Sequence, residues 1–370
     1  MADAQKEITK LNDQTGNSSS SCEEKVTKLV PTNYKVQEEM SASLKEPINQ
    51  QQNVAHIAAF QKTLARNVAH TADRFGVPRA TDAQILKMIE QHADFFSGDS
   101  DTTIQLRVAR KSAAGKYRHQ LNFRSELVSN KSEVLRATMK QIKTAGIGPK
   151  HLLEVVDAFP PCATAVDFDP KDGLVKLWHF GCSFTVKELA ALPNAPPALA
   201  AHLPFFATHG FSRVFCCGVD LKRASMNVYF HMHEGGPKDA KDVATMFRDL
   251  GLAQPPQDKL EYFAGDGSFT VTLRWDRKTF ERVCVYVVPL SAPMPKDMLE
   301  FMETCWLPNK DASAMKHSNS TFVSCSCGKD PASNYFKQES DYHGSYHDLL
   351  GRVAQLGNKQ MTAREKASSK

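Results

Sequence analysis

The sequence predicts an α+β fold in which ten antiparallel strands close into a barrel ringed by α-helices. Three observations carry this. The segments run as two helices followed by two strands, about five times over. The repeat is close to fifty residues long, so each unit must bury its apolar face against its neighbour. Short turns join the strands of each pair, which marks hairpins, and five hairpins supply enough strands for a closed barrel. A parallel α/β barrel is disfavoured, because its strands alternate singly with helices.

Residues 1–54 are rich in Ser, Gln, Asn, Lys and Glu and are expected to form a disordered polar tail. From residue 55 the pattern changes. Ile57, Phe60, Leu64, Val68, Ala72 and Phe75 recur at helical spacing. Thr81 and Asp82 suit the start of a second helix carrying Ile85, Leu86 and Ile89. Strands at 102–110 and 117–128 follow. Helices at 131–144 and 148–158 precede strands at 161–169 and 173–181, joined across Asp169-Pro170-Lys171-Asp172-Gly173. Helices at 186–192 and 196–209 lead to a hairpin at 214–232, whose turn is centred on 220–224. Helices at 238–251 and 256–260 precede strands at 267–275 and 280–289. A helix at 295–305, strands at 320–327 and 333–340, and a closing helix at 344–356 complete the barrel domain, 55–357. Residues 358–370 are expected to be a flexible tail.

The totals narrow the function. A net charge of +5, spread over 46 cationic and 41 anionic residues, lacks the concentrated basic run of a nucleic-acid binder. No apolar run approaches the ~20 residues of a membrane helix, and the start MADAQKEITK has no apolar signal region. Nine cysteines without a C-x-x-C pair fit buried thiols in a reducing compartment. The expectation is a soluble, cytoplasmic protein, acting as a monomer without nucleic-acid or membrane partners.

Each hairpin carries a cation within a strand: Arg124, Lys176, Arg223, Arg282 and Lys337, about one repeat apart. Around one axis these heads converge. Residues at alternating positions are uncharged: Asn122, Trp178, Asn227, Tyr229, Cys284, Tyr286 and Tyr335. Cations above aromatics suit a phosphorylated ligand with an apolar tail, Arg binding phosphate through forked hydrogen bonds and Lys as a point charge. Solvent-facing residues on ordinary strands would produce the same pattern one residue at a time.

The segments GKYRHQLNFR, DGLVKLWHF, SRVFCCGVDLKRASMNVYF, RWDRKTFERVCVYVV and YFKQESDYH resemble the soluble aromatic prenyltransferases of the ABBA (PT barrel) type. These are the bacterial and fungal enzymes of phenol, naphthalene and hydroxyphenylpyruvate prenylation. The resemblance spans residues 54–356. It implies transfer of a dimethylallyl or longer prenyl group from its diphosphate to an electron-rich aromatic acceptor. It also implies diphosphate binding at Lys176, Arg223, Asn227, Arg282 and Lys337, with Arg107 and Arg124 alongside. Arg124, Lys176, Arg282 and Lys337 are the expected catalytic cations. Tyr229, Trp178, Tyr286 and Tyr335 are expected to shield the prenyl cation, and Phe215, Cys217, Trp178 and Phe269 to line the acceptor side, with Asn122 beside them. Asp341 and His343 are the candidate proton acceptors, neither compelling.

Two departures matter. Magnesium-dependent relatives have an aspartate where this chain has Asn122, and a small hydroxyl residue where it has Arg124. An amide is a poor ligand for Mg²⁺, so turnover without metal or any other cofactor is expected. The tyrosine that relatives place in the fourth hairpin is missing, and Thr270 or Thr272 must stand in. Asp167-Phe168-Asp169 has the look of a D-x-D metal motif but is read as part of a turn, and His231 with His233 as a strand-end pair. The rival reading is a non-catalytic barrel that binds an anionic lipid or phosphorylated metabolite.

Overall fold

The computed structural model describes residues 50–368, apart from 114–115, 129–131, 143–145, 233–234, 266, 288–293, 306 and 308–319. The readings of residues 1–49 and of His233 lie outside these. By internal contacts the chain divides into Met1–Val54 and Ala55–Lys370, and the barrel belongs wholly to the second unit.

Five hairpins build the sheet: β1 (Thr102–Ala113) with β2 (Lys116–Val128), β3 (Ala163–Asp169) with β4 (Gly173–Thr185), β5 (Arg213–Asp220) with β6 (Ser225–His231), β7 (Gly267–Arg274) with β8 (Arg282–Val287), and β9 (Ser320–Gly328) with β10 (Tyr335–His343). Each strand pairs antiparallel with its sequence neighbours, and β10 returns to β1, so the sheet closes. Closure leaves no unpaired edge.

The side-chain period of two then sorts residues by face. Ile104, Leu106 and Val108 of β1 join the outer core, whereas Gln105, Arg107, Ala109 and Lys111 share the inner face with Arg124, Asn122, Gln120 and Arg118 opposite them on β2. Against the outer face lie α1 (Gln50–Arg74), α2 (Asp82–Glu90), α3 (Ser132–Gln141), α4 (Ile147–Ala158), α5 (Val186–Ala190), α6 (Pro197–Ala201), α7 (Leu203–Thr208), α8 (Ala240–Asp249), α9 (Gln257–Phe263) and α10 (Lys296–Thr304). Leu64, Val68 and Ala72 of α1, and Val243, Met246 and Phe247 of α8, are buried at helical spacing. Each fully buried Leu, Val, Met or Phe contributes about 1.5–3 kcal/mol. Thr81 with Gln84, and Thr185 with Glu188, form capping boxes, which fix where α2 and α5 start.

Three elements depart from the expectation. Residues 50–54, expected to belong to the disordered tail, are helical and begin α1. The helix expected at 196–209 is broken at His202, because Pro204 in the first turn of α7 has no N–H to continue the α6 ladder. The closing helix does not stop near 356: α11 runs Tyr346–Ser368, over residues expected to be a flexible tail. Gly357 is too weak a stop when strong helix formers follow it. Tyr346, Leu349 and Val353 of α11 pack with Trp178, Phe180, Phe215 and Cys216 inside the barrel, so α11 stops one end of the lumen.

Candidate active site

The other end of the lumen is open. A cavity of about 410 Å³ there is lined by Arg107, Lys111, Lys176, Lys222, Arg223, Arg282 and Lys337, against the carboxylates Asp169, Asp172, Asp220 and Glu281. Asn122, Asn227, Ser225, Thr272, Cys284, Ser326 and Tyr335 complete the wall. Cations outnumber carboxylates, so the mouth attracts anions.

Local structure aims these heads. Asp220 Oδ1 accepts from the backbone N–H groups of Lys222 and Arg223 at 3.1 and 2.8 Å. That closes the turn after β5, with Ala224 at φ 45°, and sets Arg223 on the rim. Asp169 Oδ1 does the same for Lys171 and Asp172. The turn role read for Asp167-Phe168-Asp169 thus belongs to Asp169, while Asp167 lies deeper in the lumen among Arg107, Arg124 and Trp178.

Arg282 Nη1 donates to the Tyr335 hydroxyl at 3.3 Å, and Lys337 Nζ to the Tyr286 hydroxyl at 3.0 Å. Lys111 Nζ donates to Gln120 Oε1 at 2.9 Å and lies 4.9 Å from the Tyr335 ring centroid. Burial brings Lys176 down to about 8, with Arg107 and Lys337 adding to it and Asp220 and Asp167 opposing. Burial likewise takes Lys111 down to about 8. Burial pushes the Tyr335 phenol up, but Lys337, Arg282 and Lys111 outweigh it and bring it to about 7. Crowded cations that lower one another's proton affinity favour an anion between them.

Beneath the cations lies an aromatic layer. Trp178 and Tyr229 have ring centroids 5.3 Å apart, and Tyr229 and Tyr286 5.8 Å. Gly218 makes room for it, since a Cβ there would stand 2.6 Å from Trp178 Cε3. Burial raises the Tyr229 and Tyr286 phenols above their ordinary range, so this layer is neutral.

Six of the seven residues expected at the diphosphate line the cavity: Arg107, Lys176, Arg223, Asn227, Arg282 and Lys337. Arg124 does not line it. It is 6% exposed, with Nε 2.6 Å from Asp167 Oδ1 and Nη1 3.2 Å from Glu339 Oε2, and its guanidinium lies 4.3 Å from the Trp178 ring centroid. Arg107 Nη2 reaches the same Asp167 at 2.9 Å, and Trp178 Nε1 donates to Asp167 Oδ1 at 3.0 Å. Burial would raise Asp167, but the two guanidinium groups hold it well below the usual carboxylate range. Arg124 is therefore a buried structural ion pair.

Trp178, Tyr229, Tyr286 and Phe215 sit in the lumen, and Tyr335 and Asn122 on the cavity wall. Cys217 and Phe269 do not. Both belong to the outer core, Phe269 stacked on Phe211 at 4.6 Å. Cys216, opposite Tyr229 in the β5–β6 ladder, takes the inner place. Phe215 stacks on His231 at 4.1 Å. Thr272 lines the cavity, and Thr270 is buried. Asp341 Oδ1 accepts from Gln105 and Oδ2 from the Tyr346 N–H, while His343 Nε2 lies 3.2 Å from the Asp99 carbonyl. Sequence reasoning missed Lys111, Asp167 and Glu339. Lys111 was findable, since it shares alternation with Arg107.

A closed antiparallel barrel with a cationic mouth over an aromatic layer has the chemistry to suit an anion with an apolar attachment. The chain matches the family model of the aromatic prenyltransferase Orf2 over residues 57–353, and it belongs to that family. It is 31% identical to flaviolin linalyltransferase of Streptomyces virginiae over 164 residues, 40% of this chain and 54% of the relative. It is 28% identical to 4-hydroxyphenylpyruvate 3-dimethylallyltransferase of Streptomyces niveus over 195 residues, 50% and 57% of the two chains. The matches span about half the length of these relatives. Among solved structures, 6-dimethylallyltryptophan synthase from Micromonospora olivasterospora superposes with a TM-score of 0.50 at 11% identity, over 76% of this chain and 96% of that one. That likeness shows the fold. Among the described residues, no helix is long and apolar enough to cross a membrane.

Proposed function

We propose that this protein transfers a prenyl group, dimethylallyl in the first instance, from its diphosphate to an electron-rich aromatic ring. The observation that carries this is the stacking of charge over aromatics in one lumen. Lys176, Arg223, Arg282 and Lys337 face the cavity in which a diphosphate would sit. As the C–O bond breaks, the leaving diphosphate gains negative charge, and cations already fixed around it stabilise that charge without reorganising. The allylic carbon becomes positive. Trp178, Tyr229 and Tyr286 beneath it keep water away and attract the cation through their ring faces, at about 1–2 kcal/mol each when desolvated. The arene attacks that carbon, the new C–C bond forms, and the ring restores aromaticity by losing a proton to the departed diphosphate or to water.

Turnover is proposed to need no metal. The amide oxygen of Asn122 accepts from Arg107 at 3.2 Å, so the position is neither a carboxylate nor a free ligand. The protein is proposed to act as a cytoplasmic monomer. The test is incubation with dimethylallyl diphosphate and a panel of naphthols, hydroxybenzoates and indoles, with mass detection, with and without EDTA. A product heavier by one prenyl group, unaffected by EDTA, is expected. Tight donor binding with no product from any arene would favour a non-catalytic binding barrel, and activity lost to EDTA and restored by Mg²⁺ would overturn metal independence.

A further inference from the structure

The inner end of the lumen differs from the mouth in charge and in unmet hydrogen bonds. On the face of β2 that carries Asn122 and Arg124, the next residue inward is Glu126, 0% exposed. Neither of its carboxyl oxygens has a hydrogen-bond partner among the described residues. Arg124 Nη1, the cation paired with it, stands 3.7 Å away and is committed to Asp167 and Glu339. Gln105 Oε1 on β1 and Glu339 Oε1 on β10 are also buried without a hydrogen bond, Arg107 Nη1 standing 3.6 Å from the latter. The strands β2, β1 and β10 are adjacent. One wall of the lumen therefore offers several buried acceptor oxygens, and leaving such oxygens unpaired is costly.

We propose that Glu126 seats the aromatic acceptor: its carboxyl group pairs with a hydroxyl or N–H borne by the arene, and the carboxyl-rich wall around it selects against arenes that carry a carboxylate there. This rests on the prenyl-transfer reading. In that reading the cations hold the diphosphate at the mouth and the aromatic layer takes the prenyl group, and the second substrate is assigned to the β1–β2–β10 wall, where the buried acceptor oxygens lie. Glu339 and Asp167 stand on the same inner face as Glu126, and Asp341 continues it along β10; against these three carboxylates stand the guanidinium groups of Arg107 and Arg124, so a further carboxylate meets a net like charge. Burial first, then Asp167, Glu339 and Asp341, raises Glu126 against the pull of Arg124. That direction favours the protonated carboxyl, which both donates and accepts, a pattern that glutamine reproduces. Glu126 is a binding and positioning residue in this assignment; no proton transfer is assigned to it.

The test compares a naphthol with the corresponding hydroxynaphthoic acid, by calorimetric binding in the presence of an unreactive dimethylallyl thiolodiphosphate and by turnover. Wild type should bind the naphthol at least about tenfold more tightly than the acid, the scale of one lost charged or hydrogen-bonded contact. Glu126→Leu should weaken naphthol binding by about tenfold with donor binding unchanged, and Glu126→Gln should restore it to within about threefold of wild type. A folded Glu126→Leu with wild-type naphthol affinity, or a wild type that prefers the acid, would overturn the proposal. The comparison of the two arenes needs no variant, so it decides even if Glu126→Leu does not fold. Binding with the expected preference but no transfer would contradict the transferase reading and support the seat.

Discussion

Asp167→Asn is the most informative single change in the lumen. The carboxylate is 0% exposed and takes Arg124 at 2.6 Å, Arg107 at 2.9 Å and the Trp178 N–H at 3.0 Å. Asparagine fits the space and keeps one oxygen to accept the indole N–H, but it removes the charge facing two guanidinium groups. Breaking a buried ion pair from one side costs about 3–5 kcal/mol, and the retained indole hydrogen bond places this variant near about 3 kcal/mol. With a urea m-value of roughly 3 kcal/mol/M for a chain of this size, the unfolding midpoint should fall by about 1 M. The assay is urea unfolding followed by tryptophan fluorescence. Asp167 ionises at lower pH folded than unfolded, so its contribution is present above the ordinary carboxylate range and is lost as pH falls below that range towards the depressed folded value. The gap between wild type and variant should therefore narrow below about pH 4. Arg124→Met combined with Asp167→Asn should cost less than the two changes summed. A midpoint shift under about 0.2 M for Asp167→Asn would refute the view of this group as a structural ion pair.

Three further outcomes follow from the site. Arg282→Ala and Lys337→Ala should each lower kcat/KM for the donor by about 10²–10³ while the circular dichroism spectrum is retained; near-full activity in both would remove the cations from the chemistry. Lys176 and Lys111 lose their protons near pH 8 in the free barrel, and Tyr335 gains negative charge near pH 7. Affinity for sulfate, whose charge is constant over this range, should accordingly fall by about tenfold or more from pH 6 to pH 9, measured by calorimetry, and a flat profile would contradict the cation cluster. Gly218→Ala should drive a Cβ against Trp178 and cost about 1–3 kcal/mol, read from thermal unfolding.

The barrel was legible because both of its signals are local. Hairpin turns such as 169–173 and 220–224 announce themselves in the turn residues, and the fifty-residue repeat counts the strands. The cations Lys176, Arg282 and Lys337 were legible for the same reason, since the period of two fixes a face once one neighbour is placed. What failed depends on register between strands. Cys217 was placed inward, but the β5–β6 ladder sets Cys216, and not Cys217, opposite Tyr229. Phe269 alternates with Val271 and Leu273, and that apolar face turns to the helices, as apolar strand faces do when the lumen is polar. Arg124 looked like a fifth ligand cation because its partners lie on other strands: Asp167 is 43 residues away in sequence and Glu339 is 215. Pairings that distant appear only once the sheet has closed.

The chemistry depends on where the two substrates sit. A crystal structure with an unreactive dimethylallyl diphosphate analogue and a naphthol tests that directly. The diphosphate should lie among Lys176, Arg223, Arg282 and Lys337, with the prenyl group against Tyr229 and Tyr286 and the naphthol hydroxyl near Glu126. A diphosphate bound outside the lumen, or an arene held at the mouth among the cations, would contradict it.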